Sequence, residues 1–416
     1  METKFPTTGP ELFRIFFEKL LALISEELGE KFTRRYLDLK KQRERFLNEQ
    51  WSMHGAEINN IFREVDFEFL IMTLLKSTDI PVNRMVEIQF KIAELCFRFG
   101  EVDRSYTLLR SIEENRSGRQ STSEFLGRVY FLLGRIDSQR SRWQRCRQYY
   151  GKAFEYYSER GDRTGMAAAR MNMGILSSMR WDSASGFQYF KEAENLLNGD
   201  LSGNIGLKIR INQAIIQGMR GEAEEAANIF ERLRSHPDAQ DLNFQGHLLV
   251  NQGLAKLGMN ALDSARELLS QSIQMAKQIP DTNLMGIGSL ALAEVRIRQR
   301  NFEEGQYHLI DAFKIFSKMH ARGALADTYR VFGLMHRDMG FLDLASANFE
   351  ISIELNAEES NLLNLCETYY EYSVLAKRKG NTISRMQYLE RSLSYAETMR
   401  AVPRIHRLQK ELDALL

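Results

Sequence analysis

Small residues recur along this chain at an interval that hardly varies, and few architectures tolerate such a pattern. Ala93, Gly134, Gly174, Ala214, Gly253, Ala293, Gly333 and Ser373 are separated by 41, 40, 40, 39, 40, 40 and 40 residues. Twelve residues after each comes a second column, Ser105, Cys146, Gly186, Ala226, Ala265, Gly305, Ala345 and Arg385, small in seven of eight. Four residues further on stand Leu109, Tyr150, Phe190, Phe230, Leu269, Leu309, Phe349 and Leu389, large and apolar throughout. A fixed period of about 40 residues means one supersecondary unit repeated eight times. The usual conversion of length to domains, about 150 residues each, therefore does not apply.

Each small column sits in a stretch whose apolar residues recur every three or four positions, the signature of an amphipathic helix. Two such helices per unit, with small residues at the crossing, predict a tightly packed hairpin. Gly100, Gly221, Gly340 and Gly380 mark the turn in four units, and Ser141, Trp181, Asn260 and Arg300 take that place in the others. Only 6 Pro and 27 Gly in 416 residues argue against a strand-rich fold, which needs more turn punctuation. One hairpin cannot cover its own apolar face, so the units must stack into a solenoid held by nearest-neighbour contacts.

The segment Ala326 to Ala357, with Tyr329, Gly333, Gly340, Ala345 and Phe349, resembles the tetratricopeptide repeat, and Gly161 to Gly174 is similar to the junction of its longer variety. The period of 40, against about 34 in the common form, is similar to that of kinesin light chains, Pins-type adaptors, and the Rap and maltose-activator regulators. The resemblance covers about Val86 to Val402. It implies an all-α fold: a right-handed superhelix, an α-solenoid of eight helix hairpins, whose first helices line a concave groove. Three helices over about 10–28, 30–50 and 55–76 predict an N-terminal helical bundle in residues 1–80, a layout similar to Rap proteins. The repeats occupy 86–402, and residues 403–416 place Ile405, Leu408, Leu412 and Leu415 on one face as a C-terminal capping helix.

Fifty-six basic residues against 55 acidic ones leave a formal charge of +1, which argues against nucleic acid and anionic lipid as partners. Three cysteines, Cys96, Cys146 and Cys366, are too few and too scattered for a disulfide framework or a metal site, and predict a reducing compartment. No leader pattern or membrane-length apolar run is visible, so a cytoplasmic protein is expected. Seven scattered histidines and the absence of any nucleotide, metal or nucleophile motif predict no catalytic residues, no cofactor and no metal.

Candidate binding residues come from the first-helix columns. Asn172, Asn212 and Asn251 stand two positions before the small residue in three consecutive repeats, where asparagines grip an extended chain in the family the repeats resemble. An amide offers both a donor and an acceptor to a bound main chain; it serves equally well to hold the interhelical turn. Beside them run Met171, Ile175, Met179, Ile211, Ile215, Met219 and Leu254, an apolar strip that suits a peptide or helix or else is buried within the protein. Toward the C-terminus the columns become charged, with Arg298, Arg330, Arg337 and Arg378 among Glu294, Asp327 and Asp338. These fit an acidic ligand or a network that satisfies itself. Two further basic clusters, Arg135 to Arg147 and Lys31 to Arg45, are solvated helical faces or else contacts for acidic protein, phosphate or nucleic acid.

The function expected is that of a non-enzymatic scaffold or adaptor that binds a protein or peptide ligand in the groove. The alternative is a Rap-like signalling regulator in which a groove ligand controls the N-terminal bundle. The partner's identity and the oligomeric state are not written in the sequence.

Overall fold

The structure, a computed structural model, describes residues 10–51, 56–77, 80–114, 125–179, 183–219 and 222–415. The turn positions Trp181 and Gly221 lie outside them. Every element of length is a helix, and two compact units meet in sequence between Val129 and Tyr130.

The first unit contains α1 (Pro10–Leu28), α2 (Glu30–Trp51), α3 (Ala56–Leu75), α4 (Val82–Arg98) and α5 (Val102–Glu114). Leu12, Phe16, Leu20 and Ile24, one helical turn apart, form the wholly buried stripe of α1. Phe16 packs its ring 6.0 Å from Phe67 of α3 and 5.4 Å from Phe99 at the end of α4. Polar pairs fix the neighbours: Asp66 of α3 takes Lys40 at 2.6 Å and Arg43, both on α2, and Glu27 of α1 takes Lys91 of α4 at 2.5 Å. Part of the basic run Lys31 to Arg45 is thus spent inside the unit. The first repeat hairpin, α4 and α5, packs with the three preceding helices.

The second unit begins within α6 (Leu126–Gln139) and continues through α7 (Trp143–Glu159), α8 (Arg163–Met179), α9 (Ser183–Leu196), α10 (Asn204–Met219) and α11 (Ala223–Arg234). There follow α12 (Leu242–Gly258), α13 (Leu262–Gln278), α14 (Thr282–Arg298), α15 (Phe302–Lys318), α16 (Arg322–Met339), α17 (Leu342–Glu359), α18 (Leu362–Arg378), α19 (Thr382–Thr398) and α20 (Val402–Asp413). Helices α8 to α19 pair as consecutive hairpins, each also packed on the next, and α20 lies on α19. This is an α-solenoid.

The sequence columns explain the pairing. All eight large residues of the third column are buried, from Leu109 at 0% exposed to Tyr150 at 2%. Where the small residue of the hairpin's first helix is glycine, the large residue lies against it. A Cβ added to Gly333 would meet the Phe349 ring at 2.4 Å, one on Gly134 would meet Tyr150 at 2.6 Å, and one on Gly253 would meet Leu269 at 2.7 Å. Missing side chains on one helix make room for the rings of the other. A further small column escapes the sequence reading: Ala167, Gly246, Gly286, Ala326 and Cys366, nearer the start of each first helix. There a Cβ on Gly286 would meet Phe316 at 2.8 Å. Opposite it, the Ser272 and Ser392 hydroxyls each donate at 2.8 Å to the Gly246 and Cys366 carbonyls.

The turns close as the glycines imply. Gly100, Gly340 and Gly380 have φ of 73°, 92° and 71°, and Ser141, Asn260 and Arg300, which replace glycine, adopt the same left-handed conformation at 54°, 58° and 64°.

Because Ala345 is wholly buried at a hairpin crossing, Ala345→Leu is expected to cost about 1–3 kcal/mol through overpacking. Urea unfolding measures the loss. Amide exchange should rise in α16, α17 and their immediate neighbours while α8 to α11 keep their protection, since repeats couple mainly to adjacent repeats.

Candidate functional site

Asn172, Asn212 and Asn251 occupy the same place on α8, α10 and α12 and adopt the same conformation. Each half-buried amide donates through Nδ2 to the carbonyl one turn back on its own helix: Ala168 at 2.9 Å, Lys208 at 2.8 Å and His247 at 2.7 Å. These bonds point away from the interhelical turns. They fix the side-chain rotamer and leave Oδ1 as the outward acceptor. Among the described residues the Asn212 and Asn251 acceptors have no protein donor, and Asn172 receives only a long bond of 3.4 Å from the Tyr150 hydroxyl. All three amides line one pocket of about 380 Å³.

The apolar candidates divide. Met171, Ile175, Ile211 and Ile215 line the same pocket, although Met171 and Ile211, at 6% and 5% exposed, also belong to the core beneath it. Met179 and Leu254, each 39% exposed, line a second pocket of about 400 Å³ with Leu257, Leu290 and Phe316. Its rim joins segments remote in sequence, for the Trp143 indole N–H donates to the Glu359 carbonyl at 3.3 Å. The side chain of Met219 lies outside the described residues. Hydrophobic periodicity marks all seven residues alike, because it reports one face of a helix and not how deep that face lies.

The cationic candidates are bound to carboxylates of the protein. Arg330, only 9% exposed, reaches Glu294 and Asp327 at 2.7 Å each, and Arg298 reaches Glu294 at 2.5 Å. Arg298, Arg330, Glu294 and Asp327 line a third pocket of about 290 Å³ together with Glu367 and Arg404, themselves paired at 2.9 Å. Arg337 pairs with Asp338 at 3.0 Å and with Glu371, and Arg378 donates to Asp338 and to the Arg337 carbonyl at 2.7 Å each. Neither Arg337 nor Arg378 is among the residues lining these pockets. The sequence reading missed Glu367 and Glu371, which meet partners 37 and 34 residues away, Arg404 on α20 and Arg337 on α16. A cross-repeat pair leaves no local spacing signal.

Two carboxylates carry the electrostatic strain of this region. Burial alone raises the pKa of Glu294, but Arg330 and Arg298 beside it hold the group down to about 2. Burial likewise works against Asp281 at the start of α14. His247 at 3.4 Å and the Leu284 amide at 2.9 Å outweigh it, and the value is again about 2. In the other basic cluster, Arg142 and Arg145 surround the buried Asp137 at 3.6 and 3.3 Å. The three cysteines are buried and unbridged, and burial pushes the Cys146 thiol up to about 12, out of nucleophilic range. No helix among the described residues is long and apolar enough to cross a membrane.

No protein-family model matches the chain, and no curated protein matches it either. Solved structures do. A Rap protein complexed with competence and sporulation factor superimposes with a TM-score of 0.57 over 93% of this chain and all of that one, at 12% identity. The Cut9–Hcn1 hetero-tetramer of the APC/C gives a TM-score of 0.52 at 13% identity, over 86% of this chain and 64% of that one. The chain has a tetratricopeptide-repeat fold. At these identities the likeness speaks to architecture, and the hairpin crossings described above are its physical content.

Glu294→Gln leaves the buried Arg330 beside a neutral amide and is expected to cost on the order of 3 kcal/mol, measured by urea unfolding at pH 7. The pH dependence has a defined sign. Glu294 and Asp281 sit below their ordinary values of 4.5 and 3.8, so the unfolded chain binds more protons than the folded one as acid is added. Their contribution is complete above about pH 5 and disappears as pH falls toward about 2. The unfolding midpoint should therefore decline between those limits, and less steeply in Glu294→Gln.

Proposed function

We propose that this chain is a non-enzymatic peptide-binding repeat protein of the cytoplasm, an adaptor that holds an extended segment of a partner across α8, α10 and α12. The observation that carries the reading is the shared conformation of Asn172, Asn212 and Asn251, whose acceptors line one pocket at equivalent positions of successive hairpins. An acceptor repeated at the repeat interval matches the main-chain N–H groups of any extended segment, whatever its side chains. The apolar walls, Met171, Ile175, Ile211 and Ile215, receive those side chains, and Met179 and Leu254 extend the surface into the neighbouring pocket. The repeats at α14 to α18 have a different task, since Arg298, Arg330, Arg337 and Arg378 are held by carboxylates of the protein and brace its core.

The regulator reading, in which ligand in the repeats controls helices α1 to α3, draws support from one observation. The likeness to the Rap protein, itself solved with competence and sporulation factor, extends over 93% of this chain, more than the repeats alone make up, and so takes in part of the N-terminal region. Amide exchange on the full-length protein separates the two: a plain adaptor leaves α1 to α3 unchanged when its peptide binds, and a regulator alters their protection.

The triple variant Asn172→Ala, Asn212→Ala and Asn251→Ala tests the central claim. Each substitution should weaken a peptide recovered by pull-down by about 1–3 kcal/mol, with the melting temperature nearly unchanged because the bonds lost lie within single helices. Lost stability with unaltered affinity would assign the amides a purely structural role.

A further inference from the structure

The second pocket, of about 400 Å³, is built unlike the one that holds the asparagine acceptors. Met179, Leu254, Leu257, Ile287, Leu290 and Phe316 make much of its wall, and they come from α8, α12, α14 and α15. Its other border is made by segments remote in sequence. Trp143, the first residue of α7, donates its indole N–H at 3.3 Å to the carbonyl of Glu359 at the end of α17, 216 residues away. Beside it a Cβ on Gly323 would lie 4.0 Å from the Ser141 hydroxyl. Repeats pack mainly on their neighbours, so this contact is what brings the last residue of α6, Gln139, to the apolar side chains of α12 and α14. The buried charges at this pocket already have partners: Arg330 takes Glu294 and Asp327 at 2.7 Å each, and Glu359 takes Arg322 at 3.3 Å. Among its buried polar side-chain atoms one is different. Gln139 Oε1 is buried, and among the described residues no donor reaches it. A buried acceptor without a donor costs free energy that an incoming N–H or O–H recovers.

We propose that this pocket binds a small uncharged molecule, an apolar body with a single hydrogen-bond donor, whose donor meets Gln139 Oε1 and whose body lies against Leu254, Leu290 and Phe316. A peptide segment does not suit it, because each residue of main chain brings an N–H and a carbonyl that an apolar wall leaves unpaired. An ionic ligand does not suit it either, since a charge placed there competes with the pairs that Glu294 and Arg330 already make. The volume lies within the range of small-ligand sites, about 300–1,000 Å³, whose walls are mostly apolar and whose few polar groups fix orientation. Phe316 and Trp143 offer ring faces to a flat body, and the Met179 thioether adapts to its outline. The inference goes beyond the peptide reading and does not rest on it: none of Asn172, Asn212 and Asn251 lines this pocket.

The test uses the full-length protein and three probes of one shape: β-naphthol, its methyl ether and the matching naphthalene sulfonate. Fluorescence titration at neutral pH should show saturable binding of β-naphthol and none of the sulfonate. The ether, which cannot donate, should bind about two- to tenfold more weakly. Gln139→Met should bring naphthol and ether to equal affinity. Leu254→Trp and Met179→Trp fill positions that are each 39% exposed, where a larger ring is tolerated, and each should abolish binding of both while thermal melting shows the fold intact. Absence of saturable naphthol binding, or binding that both tryptophan variants leave unchanged, overturns the site. Sulfonate binding equal to that of naphthol overturns the uncharged ligand, and an ether penalty that persists in Gln139→Met overturns the donor on Gln139. The triple asparagine variant should bind β-naphthol as the unaltered protein does, so this inference and the peptide reading fail separately.

Discussion

Two helices can approach closely only where one of them lacks side chains, and the rest of this structure depends on where those gaps fall. In the hairpins with glycine at the crossing, that glycine of the first helix receives a Leu, Phe or Tyr sixteen residues later on the second, as Gly333 receives Phe349 and Gly134 receives Tyr150. The contact fixes how the two helices cross and hence which way the first helix faces. Everything on that face, the amides and the ion pairs included, is positioned by a contact in which it takes no part.

The repeats share a frame and differ in what they place on it. Over α8, α10 and α12 the exposed column holds asparagines bound back to their own helices, which costs little and leaves an acceptor facing outward. From α14 onward the corresponding face holds buried arginines and carboxylates paired between successive first helices, Arg330 with Glu294 and Arg337 with Glu371. A buried ion pair is worth little net free energy against an apolar replacement, but breaking one is expensive. Such pairs set the register between adjacent repeats and make that half of the solenoid an unlike neighbour for the amide-lined half.

The small columns, the left-handed turns and the helix spans were legible because each depends on neighbours in sequence. A gap of 40 residues between glycines survives any detail of packing, and a turn that needs positive φ declares itself through Gly340 or Gly380. Ser141, Asn260 and Arg300 were placed by register alone, and the backbone conformation agrees with it. The further small column through Gly246 and Gly286 was passed over because Leu207 interrupts it, and the contacts of Gly246 with Leu284 and of Gly286 with Phe316 show what it is for.

Depth and partnership were not legible. Met171 and Met179 share one helical face eight residues apart, yet the first is 6% exposed and the second 39%. Periodicity assigns a direction from the helix axis, whereas burial depends on what other helices put there. The same holds for charge: the sequence leaves Arg330 open to an acidic ligand or to the protein itself, and only the tertiary structure shows that Glu294 and Asp327 take it at 2.7 Å. The chain by itself determined a repeating hairpin, because close packing is encoded by residue size at fixed intervals. Which carboxylate of another repeat meets which arginine was decided by contacts such as Arg330 with Glu294 and Arg337 with Glu371, for which the linear sequence carries no local spacing rule.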